Sequence, residues 1–128
     1  MIIFSIFLAP VFVNLEASTS EPNLGEHVTL NCSIMDNHSP KFASTSGDKR
    51  SGDGPSKATI IREIVWIRNI HQVSYDSRIT LEKDHLLKIR SFRFADNGIY
   101  QCFMRTLDTE HSYNERWIQG SILLRIAG

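Results

Sequence analysis

Asp96-Asn97-Gly98-Ile99-Tyr100-Gln101-Cys102 sets an acid, a glycine, a tyrosine and a cysteine at two-residue steps, leading into the alternating run Gly98–Arg105. A period of two sends successive side chains to opposite faces of an extended strand. Working outward, Cys32 is the other cysteine of the chain, 70 residues upstream. Two lone cysteines so far apart lack metal-ligand spacing, and an even pair in an oxidising compartment normally closes a disulfide. Closing so long a loop would restrict the unfolded chain by roughly 4 kcal/mol.

The flanks carry the same period. Val28, Leu30, Cys32 and Ile34 alternate with His27, Thr29, Asn31 and Ser33, while Ile64 and Trp66 share one strand face and Val65 and Ile67 the other. Arg78–Glu82 and His85–Phe92 read as short strands around a turn at Lys83-Asp84, and Trp117–Ile126 as the last strand. No internal repeat and no helical periodicity beyond one turn is present. Short strands separated by turn signals predict an antiparallel sandwich.

With Gly25-Glu26-His27-Val28-Thr29-Leu30-Asn31-Cys32, Trp66 in Ile64-Val65-Trp66-Ile67-Arg68, and Leu87-Lys88-Ile89 ahead of Phe92, the segment at 96–102 resembles the immunoglobulin superfamily, in its I-set or V-set branch, over residues 20–127. The resemblance implies an all-β Greek-key sandwich of two antiparallel sheets joined by a Cys32–Cys102 disulfide, with Trp66 packed on the bridge. It gives Tyr100 a hydroxyl turned back onto the chain, Gly98 the tight corner before it, and Asp96 a pairing with Arg78 that closes the lower end. The short run from Trp66 to Arg78 leaves room for one extra edge strand and hardly for two, which favours the I-set. The stretch from Cys32 to Trp66 is much longer than the family usually shows. Its excess is residues 36–57, rich in Ser, Gly, Pro, Lys and Asp, with Phe42 the lone large apolar residue between Met35 and Ile60; it reads as a long flexible insertion between the strands lettered B and C.

Residues 1–17 read as a secretory leader. Ile2–Phe4, Ile6–Ala9 and Val11–Val13 form an apolar run, followed by a polar shift at Glu16-Ala17-Ser18 with the small Ala17 at the cut. No basic residue precedes the run, and Leu15 is large for its place before the cut; the competing reading makes Pro10–Val13 the first strand. The run is too short to span a bilayer, and nothing later resembles a transmembrane helix or lipid-anchor tail. The expected organisation is a leader at 1–17 and one immunoglobulin-like domain at 18–128, secreted and extracellular. Length fits one domain with one core: 128 residues, 41% apolar and 22% charged. Lys+Arg and Asp+Glu both number 14, so no net field attracts nucleic acid or an anionic membrane.

Alternation assigns the faces. With Trp66, Tyr100, Cys102, Leu124 and Ile126 inward, the outward set is Val65, Ile67, Gln101, Phe103, Leu123 and Arg125, and most of it is apolar where a solvated face reads polar. This patch is the expected binding site for an extracellular protein, either another immunoglobulin domain or a second copy. The opposite sheet shows His27, Thr29, Asn31, Ser33, Lys88 and Arg90 outward and reads as solvated. Asn31 and Asn37 fit the glycosylation acceptor pattern, Asn37 on the exposed segment and Asn31 beside the disulfide. The loop at Thr106–Arg116, with Tyr113, reads as a solvated hairpin or a recognition loop at one end.

His27, His38, His71, His85 and His111 form no short metal-ligand cluster, and no hydrolase, metalloprotease or phosphate-loop motif occurs. The reading is a non-enzyme with no catalytic residue, metal or cofactor. Lys49-Arg50, Arg62, Arg68, Arg90 and Arg93 allow at most a weak, salt-sensitive contact with a sulfated glycosaminoglycan. The resemblance to small secreted single-domain members implies cell–cell recognition or adhesion, with neuronal and synaptic wiring as first setting. An immune-type soluble receptor or decoy and a modulatory subunit of a membrane receptor are the alternatives.

Overall fold

Strands alternating in the sequence become the two layers of a sandwich. The computed structural model describes residues 11–35, 40–42, 59–108 and 114–128, the side chains of 40–42 and Asp108 excepted. Within them lie β1 (Phe12–Ala17), β2 (Val28–Met35), β3 (Pro40–Phe42), β4 (Thr59–Arg68), β5 (His71–Gln72), β6 (Ile79–Glu82), β7 (Leu86–Ile89), β8 (Gly98–Asp108) and β9 (Asn114–Leu124), with one 3₁₀ turn at Phe94–Asp96. One antiparallel sheet runs β1-β2-β7-β6, with β3 also on β2; the other runs β5-β4-β8-β9. The Cys32–Cys102 disulfide joins them from β2 to β8.

The inward residues of both sheets make one core. Val28, Leu30, Cys32, Ile34, Trp66, Leu87, Ile89, Phe92, Tyr100, Cys102, Met104 and Leu124 are all sealed from water, each large one worth about 1.5–3 kcal/mol relative to exposure. Trp66 keeps its polar atom satisfied, because the indole N–H donates to the Asp84 carbonyl at 3.0 Å. That carbonyl belongs to the β6–β7 turn, where Lys83 adopts φ 68°.

One expectation changes, at Ser33, and three segments gain definition. Residues 12–17, assigned above to the leader, form β1, paired with β2 from Phe12↔Met35 to Ala17↔Leu30. Val13 is in the core and Val11, Leu15 and Ala17 pack on it, so a cut after Ala17 would strip a strand from the sheet; residues 1–10 lie outside the described residues. Gly120 on β9 allows β1 to close the seam between the sheets, since a Cβ there would sit 2.9 Å from Val13 Cγ1. Within the insertion at 36–57, residues 40–42 pair with β2 as β3 (Ser33↔Phe42 to Met35↔Pro40); 36–39 and 43–58 lie outside the described residues. Ser33, expected on a solvated face, is 5% exposed. Of the hairpin at 106–116 the described residues are ladder, because β8 and β9 pair from Gly98↔Leu124 up to Asp108↔Asn114; residues 109–113 lie outside the described residues.

Candidate recognition face

The pleat of β4, β8 and β9 turns every second residue away from the core, and register fixes who stands beside whom. Val65 sits opposite Phe103, and Ile67 opposite Gln101. On the other side of β8, Ile99 faces Leu123, Gln101 faces Ser121, Phe103 faces Gln119 and Arg105 faces Trp117. Val65, Ile67 and Phe103 are half-buried, while Ile99, Leu123 and Trp117 are each about half exposed (50%, 52% and 49%). Gln101 Nε2 donates to Gln119 Oε1 at 2.8 Å, a polar crossing in the middle of an apolar sheet.

The upper part of this face carries an ion cluster. Arg105 Nε donates to Glu63 Oε1 at 3.1 Å and its Nη1 to both Glu115 oxygens at 3.2 Å. Its guanidinium lies 5.9 Å from the Trp117 ring centroid, a cation–π distance. Arg62 approaches Glu115 at 3.9 Å from the β4 edge. The hydrogen bonds to Glu63, then to Glu115, hold the Arg105 guanidinium more firmly protonated than usual. A bulge between Ile61 and Glu63 brings Glu63 to Arg105.

The lower corner is built differently. Asp96 is 3% exposed and accepts from both terminal guanidinium nitrogens of Arg78, Nη1 and Nη2, at 2.9 and 3.1 Å, together with the Arg93 backbone N–H at 3.0 Å. Burial by itself would raise the Asp96 carboxyl; the Arg78 and Arg93 hydrogen bonds and their charges outweigh it and leave the group below its ordinary value. Arg78 Nη1 also donates to the Arg90 carbonyl at 3.1 Å. The Tyr100 hydroxyl donates to the Asp96 carbonyl at 2.6 Å, and burial pushes its pKa up to about 12. A Cβ on Gly98 would meet Asn69 Nδ2 at 2.6 Å. That close approach explains the glycine, because Asn69 Oδ1 accepts the Ile99 N–H at 2.9 Å and ties the β4–β5 turn to β8.

Cys32, Cys102, Trp66, Tyr100, Gly98, Arg78 and Asp96 therefore gather into the core and its lower corner, and Val65, Ile67, Gln101, Phe103 and Leu123 onto one outer face. Arg125 lies one residue beyond the β9 ladder. Asn31 is half-buried mid-β2 with Oδ1 shielded and unpartnered, and Asn37, Lys49, Arg50, His111 and Tyr113 lie outside the described residues. Ile99, Trp117 and Gln119 were missed, although they share the odd-numbered parity of Gln101 and Leu123. Among the described residues no group of three or more His, Cys, Asp or Glu is placed to hold a metal ion. No helix among them is long and apolar enough to cross a membrane.

Two bridged antiparallel sheets, a corner tyrosine and an open outer sheet define an immunoglobulin-type domain, the class whose members commonly bind proteins. The chain belongs to the immunoglobulin V-set family, whose model matches residues 16–122. The short run from Trp66 to Arg78 favours the I-set; the match is to the variable branch, while β5 has two residues and no strand between it and β6 is described. Among curated proteins, the chain is 38% identical over 55 residues to the mouse peroxidasin homolog, covering 41% of this chain and 4% of that protein. It is 42% identical over 45 residues to the human probable oxidoreductase PXDNL, covering 34% of this chain and 3% of that one. Matches so short carry the domain and not the activity in those names. Solved structures with the same fold include murine CEACAM1b (TM-score 0.55, 20% identity, 91% of this chain and 44% of that one). Mouse nectin-like molecule 4, as its full ectodomain, matches at TM-score 0.51, 15% identity, 92% of this chain and 31% of that one. The N-terminal Ig1-2 module of the Drosophila receptor protein tyrosine phosphatase DLAR matches at 0.53, 20% identity, 95% and 50%. A disulfide-bonded domain of this family is suited to the oxidising extracellular environment.

Proposed function

We propose that this chain is a secreted recognition module that binds another extracellular protein through the outer face of β4, β8 and β9. One observation carries the reading: Val65, Ile67, Phe103, Ile99, Leu123 and Trp117 stand together on a sheet face that nothing covers among the described residues. A mixed face of aromatic, aliphatic and Arg side chains with a polar rim is the composition that binding surfaces concentrate. The biological setting we assign is cell–cell recognition or adhesion, with neuronal and synaptic contacts the first place to look. Asn37 is the glycan acceptor we favour over Asn31, which is half-buried on β2 opposite Glu16 and Leu86 with its Oδ1 shielded.

The test is binding of the purified domain to an array of extracellular domains, itself included, with sedimentation for self-association. Ile67→Asp and Phe103→Asp are expected to weaken binding at least about tenfold, and Lys88→Asp on the opposite sheet to leave it unchanged. Equal binding by all three variants would remove the face from the account. Binding of a small molecule, with no protein bound at micromolar concentration, would remove the protein ligand.

A further inference from the structure

At the lower corner an apolar knob stands beside a hole. β4 and β5 join through the two-residue turn Asn69-Ile70, closed by the Arg68↔His71 pair. Both residues are left-handed, at φ 50° and 66°, as the hairpin turn that matches strand twist requires. The second place is normally glycine, because in that conformation a Cβ crowds the following carbonyl oxygen, and a β-branched side chain fits it worst. Ile70 takes that crowding and gains no burial in return, being 82% exposed, the most of any large apolar residue described. Strain kept at an exposed place points to function rather than to folding.

The hole adjoins the same turn: Asn69 and His71, which flank Ile70, both line a cleft of about 540 Å³. Val73 and Ile79, half-buried, supply its apolar wall. Its charges balance, Arg68 and Arg78 against Asp76 and Asp96, and they are already engaged. Asp96 holds Arg78, Asp76 Oδ1 accepts the backbone N–H groups of Arg78 and Ile79 at 2.8 Å, and Arg68 Nη1 donates to the Ala95 carbonyl. Polar walls partnered in this way lose little when an apolar side chain displaces water from them. The backbone is pinned as well, for Val73 N–H donates to the Trp66 carbonyl and Asp76 N–H to that of Ile79, both at 3.0 Å. The cleft is thus formed before anything enters it. Phe94, 66% exposed, adjoins the lining residue Ala95.

We propose that a second copy of this chain docks at this corner, the Ile70 of each copy entering the cleft of the other. A knob and a hole side by side are both satisfied by a copy related through a two-fold axis between them: each contact is made twice and the assembly closes at two. Charge allows it, since the cleft carries two arginines and two aspartates and the chain 14 Lys+Arg and 14 Asp+Glu, so the copies meet without net repulsion. The contact is small, at the weak end of specific interfaces, and gives a dimer that dissociates at micromolar concentration or above. None of the residues of the recognition face lines this cleft, so dimer and recognition face stand independently.

The experiment is sedimentation equilibrium of the purified domain from micromolar to millimolar concentration. Wild type is expected to pass from monomer to dimer, without larger species. Ile70→Gly removes the knob and suits the turn. It is expected to weaken the dimer at least about tenfold, while the melting temperature of the dilute monomer holds or rises. Ser74→Trp, which fills the cleft and leaves the knob, is expected to weaken the dimer as much, and Phe103→Asp on the sheet to leave it unchanged. Wild type monomeric at millimolar concentration, Ile70→Gly dimerising as wild type does, a melting temperature several degrees lower in Ile70→Gly, or dimerisation abolished by Phe103→Asp would each overturn the proposal.

Discussion

Arg78 and Arg105 both grip carboxylates, one at the sealed lower corner and the other on the open sheet. At the corner the carboxylate side chain is 4% exposed and its partner's 22%, and Asp96 also receives a backbone N–H. On the sheet Arg105, Glu63 and Glu115 are 31%, 47% and 43% exposed. Water screens the second cluster and scarcely reaches the first, so identical chemistry contributes to folding in one place and remains available to a partner in the other.

The sharpest way to break this contrast is Asp96→Ala. It leaves the Arg78 guanidinium at the corner without its counter-ion and the Arg93 N–H without its acceptor, and is expected to cost about 3–5 kcal/mol in urea denaturation. A loss below about 1 kcal/mol would place the corner in the same category as the sheet. Acid gives the same comparison without mutation. Asp96 is held below its ordinary value when folded and returns to about 4 on unfolding. Its stabilising contribution is complete above about pH 4 and is lost as pH falls through the lower folded value. The difference between wild type and Asp96→Asn should shrink in that window and be constant from pH 5 to 8.

Next in size is Gly120→Ala. A methyl group there meets Val13 Cγ1 at 2.9 Å and the Val13 carbonyl at 3.2 Å, backbone that cannot simply swing aside, so the expected cost is about 1–3 kcal/mol. The clash exists only if the mature molecule keeps β1. A stable Gly120→Ala protein, or a secreted product whose first residue by N-terminal sequencing is Ser18, would show that the leader extends through Ala17 after all.

That question marks where the sequence was hard to read. The corner was legible because Asp96, Gly98, Tyr100 and Cys102 act within a few residues of one another. Arg78 was legible only through the family resemblance. β1 was obscured because Val11, Val13, Leu15 and Ala17, apolar for the core, extend the apolar run of residues 2–9 and look like its end. β3 lies in polar surroundings that carry no alternation. Parity did place Val65, Ile67, Gln101, Phe103 and Leu123 on one face, and the same parity reaches Ile99, Gln119 and Trp117 when followed along β8 and β9. The Arg105–Glu63–Glu115 cluster is different: it depends on a bulge at Arg62 and a hairpin register that no single strand encodes.

Smaller still is Tyr100→Phe, which deletes the hydroxyl that donates to Asp96 O at 2.6 Å and leaves that carbonyl without it; about 1 kcal/mol is expected. The variant also tests the buried phenol. Tyr100 titrates at about 12 when folded and about 10 when unfolded, so the stability gained by keeping it neutral is complete below pH 10 and lost as pH rises through 12. Ultraviolet titration should show one late-ionising tyrosine fewer in Tyr100→Phe than in wild type, where burial raises Tyr75 as well.

Glu115→Gln is expected to have the smallest effect on the fold and so sharpens the contrast most. It removes one of two acids from Arg105 in a cluster partly open to water, and the denaturation midpoint should stay within error of wild type. The charge balance of the face does change, because Arg105 then keeps Glu63 alone as acid and Arg62 loses the carboxylate it approaches. Rim charges act mainly on encounter rate and its salt dependence, so a partner docking on β4, β8 and β9 should associate with an altered rate that converges on wild type at high salt. Its dissociation rate, set by the apolar rows at Val65–Phe103 and Ile99–Leu123, should hardly move. A midpoint shift as large as that of Tyr100→Phe would mean the open cluster supports folding too, and the division between a sealed corner and an available face would fail at that end.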